Sequence, residues 1–179
     1  VLESLARQYG EDVAFHGYEV SAQAIEIARK KERGNLRFFL KDPFAEGDLR
    51  FDVAMAIDVL EHIEDYFGFL RKLKGLGTYK VFHIPLDLSA QSVLRGRPLM
   101  RARSKVGHIH YFTKETALAT LKDTGYEVLD RFYTKVGLEM PQCAWSTWLM
   151  RLPRKLLFAL SQDWTARVLG GFSLLVLAK

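Results

Sequence analysis

Cysteine is almost absent from this sequence. Cys143 is the only one among 179 residues, so a disulfide within the chain is excluded. Small secreted folds often depend on paired cysteines, whereas proteins of the reducing cytoplasm do not. We therefore expect a cytoplasmic protein stabilised by its apolar core.

Long apolar runs are also missing. The longest uninterrupted one lies near residues 172–178 and is far shorter than the ~20 residues that a membrane-spanning helix needs. The sequence contains no signal-peptide pattern, no repeat and no low-complexity segment. We expect at most a peripheral contact with a membrane surface.

The composition that is present suits a globular domain. Apolar residues make up 49% of the chain, which is enough for one full core in a single domain spanning residues 1–179. The net charge of +5 and the isoelectric point near 9.3 allow an anionic substrate, a nucleic acid or membrane headgroups as partners. Charge alone does not select among them, and nothing else in the sequence favours a nucleic acid.

Short apolar runs alternate with amphipathic stretches along most of the chain. This alternation is typical of right-handed strand–helix–strand crossovers and of a doubly wound, mostly parallel α/β sheet. The last two runs lack such a crossover, which favours an antiparallel closing strand at the sheet edge. The predicted strands cover residues 13–18, 35–40, 51–57, 79–84, 126–136 and 172–178.

Residues 51–74 form the most informative unit. A nearly all-apolar run at 51–57 predicts a buried strand, and apolar residues then recur at helical spacing. Ligands bind beyond the carboxyl ends of the strands in such sheets, so Asp58, Glu61 and His62 occupy a candidate site.

The two carboxylates of this unit also have a purely structural explanation. Asp58 and Glu61 lie three residues apart at a predicted helix start, which is the spacing of a capping box with Asp58 as the N-cap. This alternative stays open at the level of sequence.

Two segments interrupt the alternation. Residues 86–107 have no acid after Asp87, and they form either a solvated loop or a lid over an anionic substrate. Residues 137–170 contain Trp145 and Trp148, and they form a packed amphipathic helix, a shield for a lipid-like acceptor or a membrane-surface segment. The cations of the first segment are Arg95, Arg97, Arg101, Arg103 and Lys105.

The order of four sequence features resembles that in class I S-adenosylmethionine-dependent methyltransferases. They are Glu19 after one predicted strand, Asp42 after the next, the DVLEHI turn at 58–63 and the HIHYFT turn at 108–113. The sequence is most similar to the group that includes the ubiquinone-pathway O-methyltransferases. The resemblance implies a Rossmann-like fold, S-adenosylmethionine as cofactor and methyl transfer to an acceptor, for which we expect a small-molecule hydroxyl.

The resemblance also implies which residues hold the cofactor. Glu19, followed by Val20, is similar to the acid that binds both ribose hydroxyls, a task that suits the paired oxygens of a carboxylate. Asp42 is similar to the acid that meets the adenine amino group, with Pro43 beside the ring. Asp58 is similar to the residue next to both cofactor and acceptor.

The same resemblance implies His62 and His108 as catalytic residues. A neutral imidazole titrates near working pH, so His62 is the first candidate for the base or orienting group at an acceptor hydroxyl. A histidine that is merely packed in place is the alternative. His108 is favoured over His110 by its position in the family pattern, and we assign no metal ligands.

One part of the family pattern is missing. The first strand and its glycine-rich turn, which wraps the methionine end of the cofactor, should lie immediately before Val1. That strand is central in the family, so its absence predicts a gap in the sheet. We expect the sequence to be an N-terminally truncated part of a longer methyltransferase.

Three other functions fit parts of the pattern. A dinucleotide-binding oxidoreductase also has an acid after its second strand. Asp58, Glu61, His62 and a histidine at 108 or 110 resemble the set of metal-assisted RNA ribose methyltransferases. A non-catalytic binding module with this fold is the third alternative, because fold alone does not establish activity.

Overall fold

A computed structural model describes residues 1–45, 47, 49–135 and 151–179. The side chains of residues 151–153 are not described. The chain divides into two compact units, residues 1–49 and residues 50–179. Each unit has its own sheet.

The first unit pairs two parallel strands. Strands β1 and β2 run in register from the pair Phe15 and Leu36 to the pair Glu19 and Leu40. Leu36 and Ile25 are buried, which places the core of this unit between the strands and the second helix. The elements are α1 (Leu2–Tyr9), β1 (Phe15–Glu19), α2 (Ala22–Arg29), β2 (Leu36–Leu40) and a 3-10 turn (Pro43–Ala45).

Local signals in the sequence set the helix ends of the first unit. Ser21 is the N-cap of α2, and its side chain accepts a hydrogen bond from the backbone N–H of Ala24. Gly10 follows α1 with φ of 61°, a conformation that a residue without Cβ adopts readily. Both ends are thus set by residues whose types favour these cap positions.

The second unit contains a four-stranded mixed sheet with the order β3-β4-β6-β5. Strand β3 is parallel to β4, whereas β6 is antiparallel to both β4 and β5. Among the described strands β3 pairs only with β4, so its other edge is open. The strands are β3 (Phe51–Ile57), β4 (Gly77–Pro85), β5 (Val128–Thr134) and β6 (Ser173–Ala178).

The antiparallel relation of the last two strands is confirmed, but the final strand does not lie at the edge. Strand β6 lies between β4 and β5, and β5 is the edge strand. Burial explains the order, because Leu174 and Val176 of β6 are fully buried while most of β5 is exposed. Phe82 and Ile84 of β4 complete this part of the core.

Helices cover the second sheet. Thr113 caps α6 by accepting from the backbone N–H of Thr116, as its position before the helix predicts. The helices are α3 (Tyr66–Leu73), α4 (Ala90–Arg95), α5 (Arg97–Val106), α6 (Lys114–Asp123), α7 (Arg151–Leu160) and α8 (Gln162–Leu169).

The two interrupting segments are helical where the structure describes them. The solvated-loop interpretation of residues 86–107 is wrong, since α4 and α5 occupy most of this segment. Helices α7 and α8 occupy the end of the 137–170 segment, while Trp145 and Trp148 lie outside the described residues. Among the described residues, no helix has both the length and the apolar character that crossing a bilayer requires.

Candidate functional site

The end of β3 carries a residue in an unusual backbone conformation. Asp58 has φ of 52°, and it is the only described non-glycine residue with a positive φ. Its backbone N–H donates to the His83 carbonyl at 3.0 Å. Its Oδ1 lies 2.6 Å from His83 Nδ1, which donates to it. His83 Nε2 lies 2.7 Å from Thr134 Oγ1, so this chain of side chains connects the ends of β3, β4 and β5.

The capping explanation for Asp58 and Glu61 is wrong. Helix α3 begins at Tyr66, and its N-cap is Asp65, whose carboxylate accepts from the Gly68 N–H at 2.8 Å. Residues Leu60–His62 instead form a single 3-10 turn without a side-chain cap. A capping box therefore accounts for neither carboxylate.

Glu61 is fully buried, and neither of its carboxylate oxygens has a hydrogen-bond partner within the described residues. Burial raises the pKa of this carboxyl above its ordinary value, and the charge of Asp58 adds to the rise. The neighbouring His62 and His108 act in the opposite direction. A buried carboxylate without a partner is unusual in a folded protein.

Two histidines lie beside Glu61, and each has one ring nitrogen already engaged. His62 Nδ1 lies 3.2 Å from the Gly107 carbonyl, which can only accept, so Nδ1 carries the hydrogen. His108 Nδ1 donates to Asp87 Oδ2 at 2.6 Å. In its neutral form each ring then has a lone pair on Nε2.

The three side chains converge on one point. His62 Nε2 lies 3.8 Å from Glu61 Oε1. The rings of His62 and His108 are 5.0 Å apart, and one ligand atom from each of the three residues lies within 4.8 Å of the others. The His62 side chain is 39% exposed, so the cluster can be reached from its surroundings through this ring.

The backbone explains why these residues meet. Gly107 ends α5 in the left-handed conformation with φ of 79°, and its N–H donates to carbonyls of the last helical turn. The chain then turns towards Glu61, whose carbonyl accepts from the N–H groups of Ile109 at 2.8 Å and His110 at 3.2 Å. These bonds hold His108 across from the turn Leu60–His62.

The first unit places its predicted residues at the carboxyl edge of its sheet. Glu19 Oε1 accepts from the N–H groups of Val20 at 2.8 Å and Ser21 at 2.9 Å. Asp42 Oδ1 accepts from the Phe44 N–H at 2.9 Å, a local bond across Pro43 at the start of the 3-10 turn Pro43–Ala45. Glu19 and Asp42 follow paired strands, so both carboxylates belong to the same edge.

Sequence reasoning missed two residues of the second unit. His83 bridges Asp58 and Thr134, and the available signal was a single polar ring within the apolar run of β4. Asp87 orients His108, and the available signal was its position as the last acid before the basic segment. The structure brings Glu61, His62 and His108 together, and Asp58 lies three residues before Glu61.

Comparison with known families gives one match. A family model described as "Methyltransferase domain" matches residues 1–131. No curated protein matches the sequence significantly.

Several solved structures have a similar fold. The S-adenosylmethionine-dependent methyltransferase of Mesorhizobium loti is 18% identical, with 98% of this chain and 83% of that chain covered and a TM-score of 0.58. Magnesium protoporphyrin IX methyltransferase from Synechocystis PCC 6803, solved with bound SAH, is 15% identical, with 99% and 67% covered and a TM-score of 0.57. The cyclopropane synthase MmaA2 from Mycobacterium tuberculosis is 15% identical, with 97% and 72% covered and a TM-score of 0.59. At these identities the likeness shows a shared fold.

Proposed function

This chain belongs to the methyltransferase-domain family, and from this premise we propose that it methylates a hydroxyl of a small molecule. Its cofactor is S-adenosylmethionine. Family membership removes the oxidoreductase alternative. The RNA ribose methyltransferase and the non-catalytic module remain the competing proposals.

The observation that carries the proposal is the position of Glu19. Its Oε1 is fixed by two backbone N–H groups. A carboxylate has about four lone-pair positions, so the second oxygen keeps its capacity to accept from ribose hydroxyls. These residues therefore fit the nucleoside part of the cofactor. In the proposal Asp42 binds the adenine amino group. Val20 and Pro43 line the same part of the site, and the Val20 side chain is 75% exposed.

When bound, the cofactor supplies a methyl group already activated on a sulfonium. The protein's own task is then to hold the acceptor and to manage the proton of its hydroxyl. We assign that task to His62, as base or orienting group, because its Nε2 lone pair is available and its ring is partly exposed. His108, fixed by Asp87, presents a second Nε2 beside it. Asp58 borders this cluster and stays in the proposed site.

The proposed acceptor is anionic or lipid-like. Helix α5 carries exposed cations, and exposed apolar side chains lie near it, among them Leu94 at 86% exposure. The segment 86–107 therefore acts in this proposal as a lid that attracts negative charge. We also propose that the protein is cytoplasmic and contacts membranes at most peripherally.

The cofactor assignment is tested by calorimetric titration of S-adenosylhomocysteine. We expect binding that is lost in Glu19→Ala and retained in Glu26→Ala, which removes an exposed carboxylate from α2 of the same unit. The titration is repeated on a second chain to which a glycine-rich segment has been added before Val1. Binding by neither chain would contradict the enzymatic proposal and favour the non-catalytic module.

The acceptor class is tested by sedimentation with vesicles. We expect the chain to sediment with anionic phosphatidylglycerol vesicles more than with neutral phosphatidylcholine vesicles. The double change Arg101→Ala and Arg103→Ala should remove the difference, because both cations are exposed on α5. Equal sedimentation of the unchanged chain with both vesicle types would argue against an anionic lipid-like acceptor.

A further inference from the structure

His83 holds Asp58 at the carboxyl end of β3 through two separate hydrogen bonds. Its backbone carbonyl accepts from the Asp58 N–H at 3.0 Å, and its ring Nδ1 donates to Asp58 Oδ1 at 2.6 Å. The proposed function places Asp58 in the site but gives His83 no task. We infer that His83 is a positioning residue, which fixes the Asp58 carboxylate so that it binds the methionine end of the cofactor.

The first argument is that the His83 ring is itself fixed. Its side chain is 13% exposed, and its Nε2 lies 2.7 Å from Thr134 Oγ1. With the hydrogen on Nδ1, Nε2 accepts from the Thr134 hydroxyl. Both ring nitrogens are therefore engaged, and His83 has no lone pair left for the proton of an acceptor. Its effect on a ligand passes through Asp58.

The second argument is that Asp58 is fixed and open at the same time. Its φ of 52° lies in the left-handed region, and residues held in such a conformation cluster at functional sites. Within the described residues only Oδ1 of its carboxylate has a hydrogen-bond partner, and the side chain is 49% exposed. Oδ2 can therefore accept from a ligand while Oδ1 stays bound to His83.

The third argument is the rigidity of the support. His83 is the register partner of Ile57 in β3 on one side and of Leu175 in β6 on the other. A group on a strand that is paired on both sides holds its position more precisely than a group on a loop. The hydrogen bond from His83 therefore restricts the Asp58 carboxylate to one orientation.

The fourth argument is charge, and it rests on the proposed function. A carboxylate forms its strongest hydrogen bonds with cationic donors. The cofactor carries its two cationic groups, the sulfonium and the α-ammonium, at its methionine end. Glu19 and Asp42 are assigned to the ribose and the adenine, so Asp58 is the proposed carboxylate that remains for the α-ammonium.

The inference is tested by calorimetric titration with S-adenosylhomocysteine and with 5′-methylthioadenosine, which keeps the nucleoside but lacks the α-ammonium. His83→Gln moves the amide nitrogen away from the position of Nδ1. It should weaken S-adenosylhomocysteine binding about ten-fold and change methylthioadenosine binding less than about two-fold. A loss of folded structure would weaken the binding of both ligands.

A conservative variant supplies the rescue. In His83→Asn the amide nitrogen is bonded to Cγ, as Nδ1 is, so it can still donate to Asp58. This variant should recover most of the S-adenosylhomocysteine affinity that His83→Gln loses. His16→Gln is the matched control, because it changes an exposed histidine of β1 and should bind both ligands as the unchanged chain does. The chain with the added glycine-rich segment is used if only that chain binds.

Two results would overturn the inference. One is equal S-adenosylhomocysteine binding by the unchanged chain and by His83→Gln, and the other is an equal loss for both ligands. If His83→Gln loses its native circular dichroism, Thr134→Val, which releases the ring and keeps its donor, decides in the same way. Failure of the proposed function is a separate result, because neither unchanged chain then binds S-adenosylhomocysteine, and the inference falls with it.

Discussion

The positive φ of Asp58 predicts an unusual order of stability for two substitutions. Asp58→Ala removes the hydrogen bond to His83 and keeps a side chain in the left-handed region. Asp58→Gly removes the same hydrogen bond but places there the residue that adopts this region without strain. We therefore expect the glycine variant to be the more stable of the two.

The magnitude follows from two terms. The left-handed conformation disfavours a residue with Cβ by roughly 1–2 kcal/mol relative to glycine, and the larger conformational freedom of unfolded glycine offsets roughly 0.5–1 kcal/mol of this. The net advantage of Asp58→Gly over Asp58→Ala is thus about 1 kcal/mol. The lost hydrogen bond, discounted because the Asp58 side chain is 49% exposed, lowers the stability of both variants by about 1 kcal/mol.

Urea denaturation followed by circular dichroism measures both variants, with free energies from linear extrapolation. Asp52 supplies the matched control, because it is an exposed aspartate within β3. At this position glycine should be less stable than alanine by about 0.5–1 kcal/mol, which reverses the order expected at Asp58. The reasoning is refuted if alanine is equal to or better than glycine at both positions.

Two further predictions concern other parts of the second unit. Gly107→Ala should lower the free energy of unfolding, measured by urea denaturation, by roughly 1–2 kcal/mol because φ is 79° at this position. Gly75→Ala, where no atom lies within 4 Å of the added Cβ, should change it little. Equal losses in the two variants would contradict the argument. Hydrogen bonds from Lys114 and Tyr133 lower the pKa of Asp163 below its ordinary value of 3.8. The ionised carboxylate therefore stabilises the fold above pH 3.8, and this contribution is lost as the pH falls through the lowered pKa. Urea midpoints between about pH 5 and 2 should therefore fall less for Asp163→Asn than for the unchanged chain, and parallel profiles would contradict the assignment.

The sequence predicted those features of the fold that depend on neighbouring residues. The apolar run at residues 51–57 forms β3 with the same bounds. Ser21 and Thr113 belong to the residue types that favour N-caps, and each caps the helix that it precedes. The position of β6 inside the sheet could not be predicted, because it depends on pairing with β4 across about ninety residues of chain. The local pattern marks the strand but does not fix its neighbours.

In the candidate site too, some features follow from the local sequence and others do not. Glu19 and Asp42 were predicted at strand ends, and the structure places them at one sheet edge. The unpartnered state of Glu61 was not predictable, since the spacing from Asp58 fitted a capping box equally well. Only the start of α3 at Tyr66 decided between the two explanations.

The basic segment and the histidine cluster are physically connected. Helix α5 ends at Gly107, whose carbonyl accepts from His62, and the next residue is His108, whose N–H donates to Ala102 of the same helix. The segment 86–107 therefore orients both rings, His62 through Gly107 and His108 through Asp87. Displacing α5 from the turn at Glu61 would therefore separate the two rings.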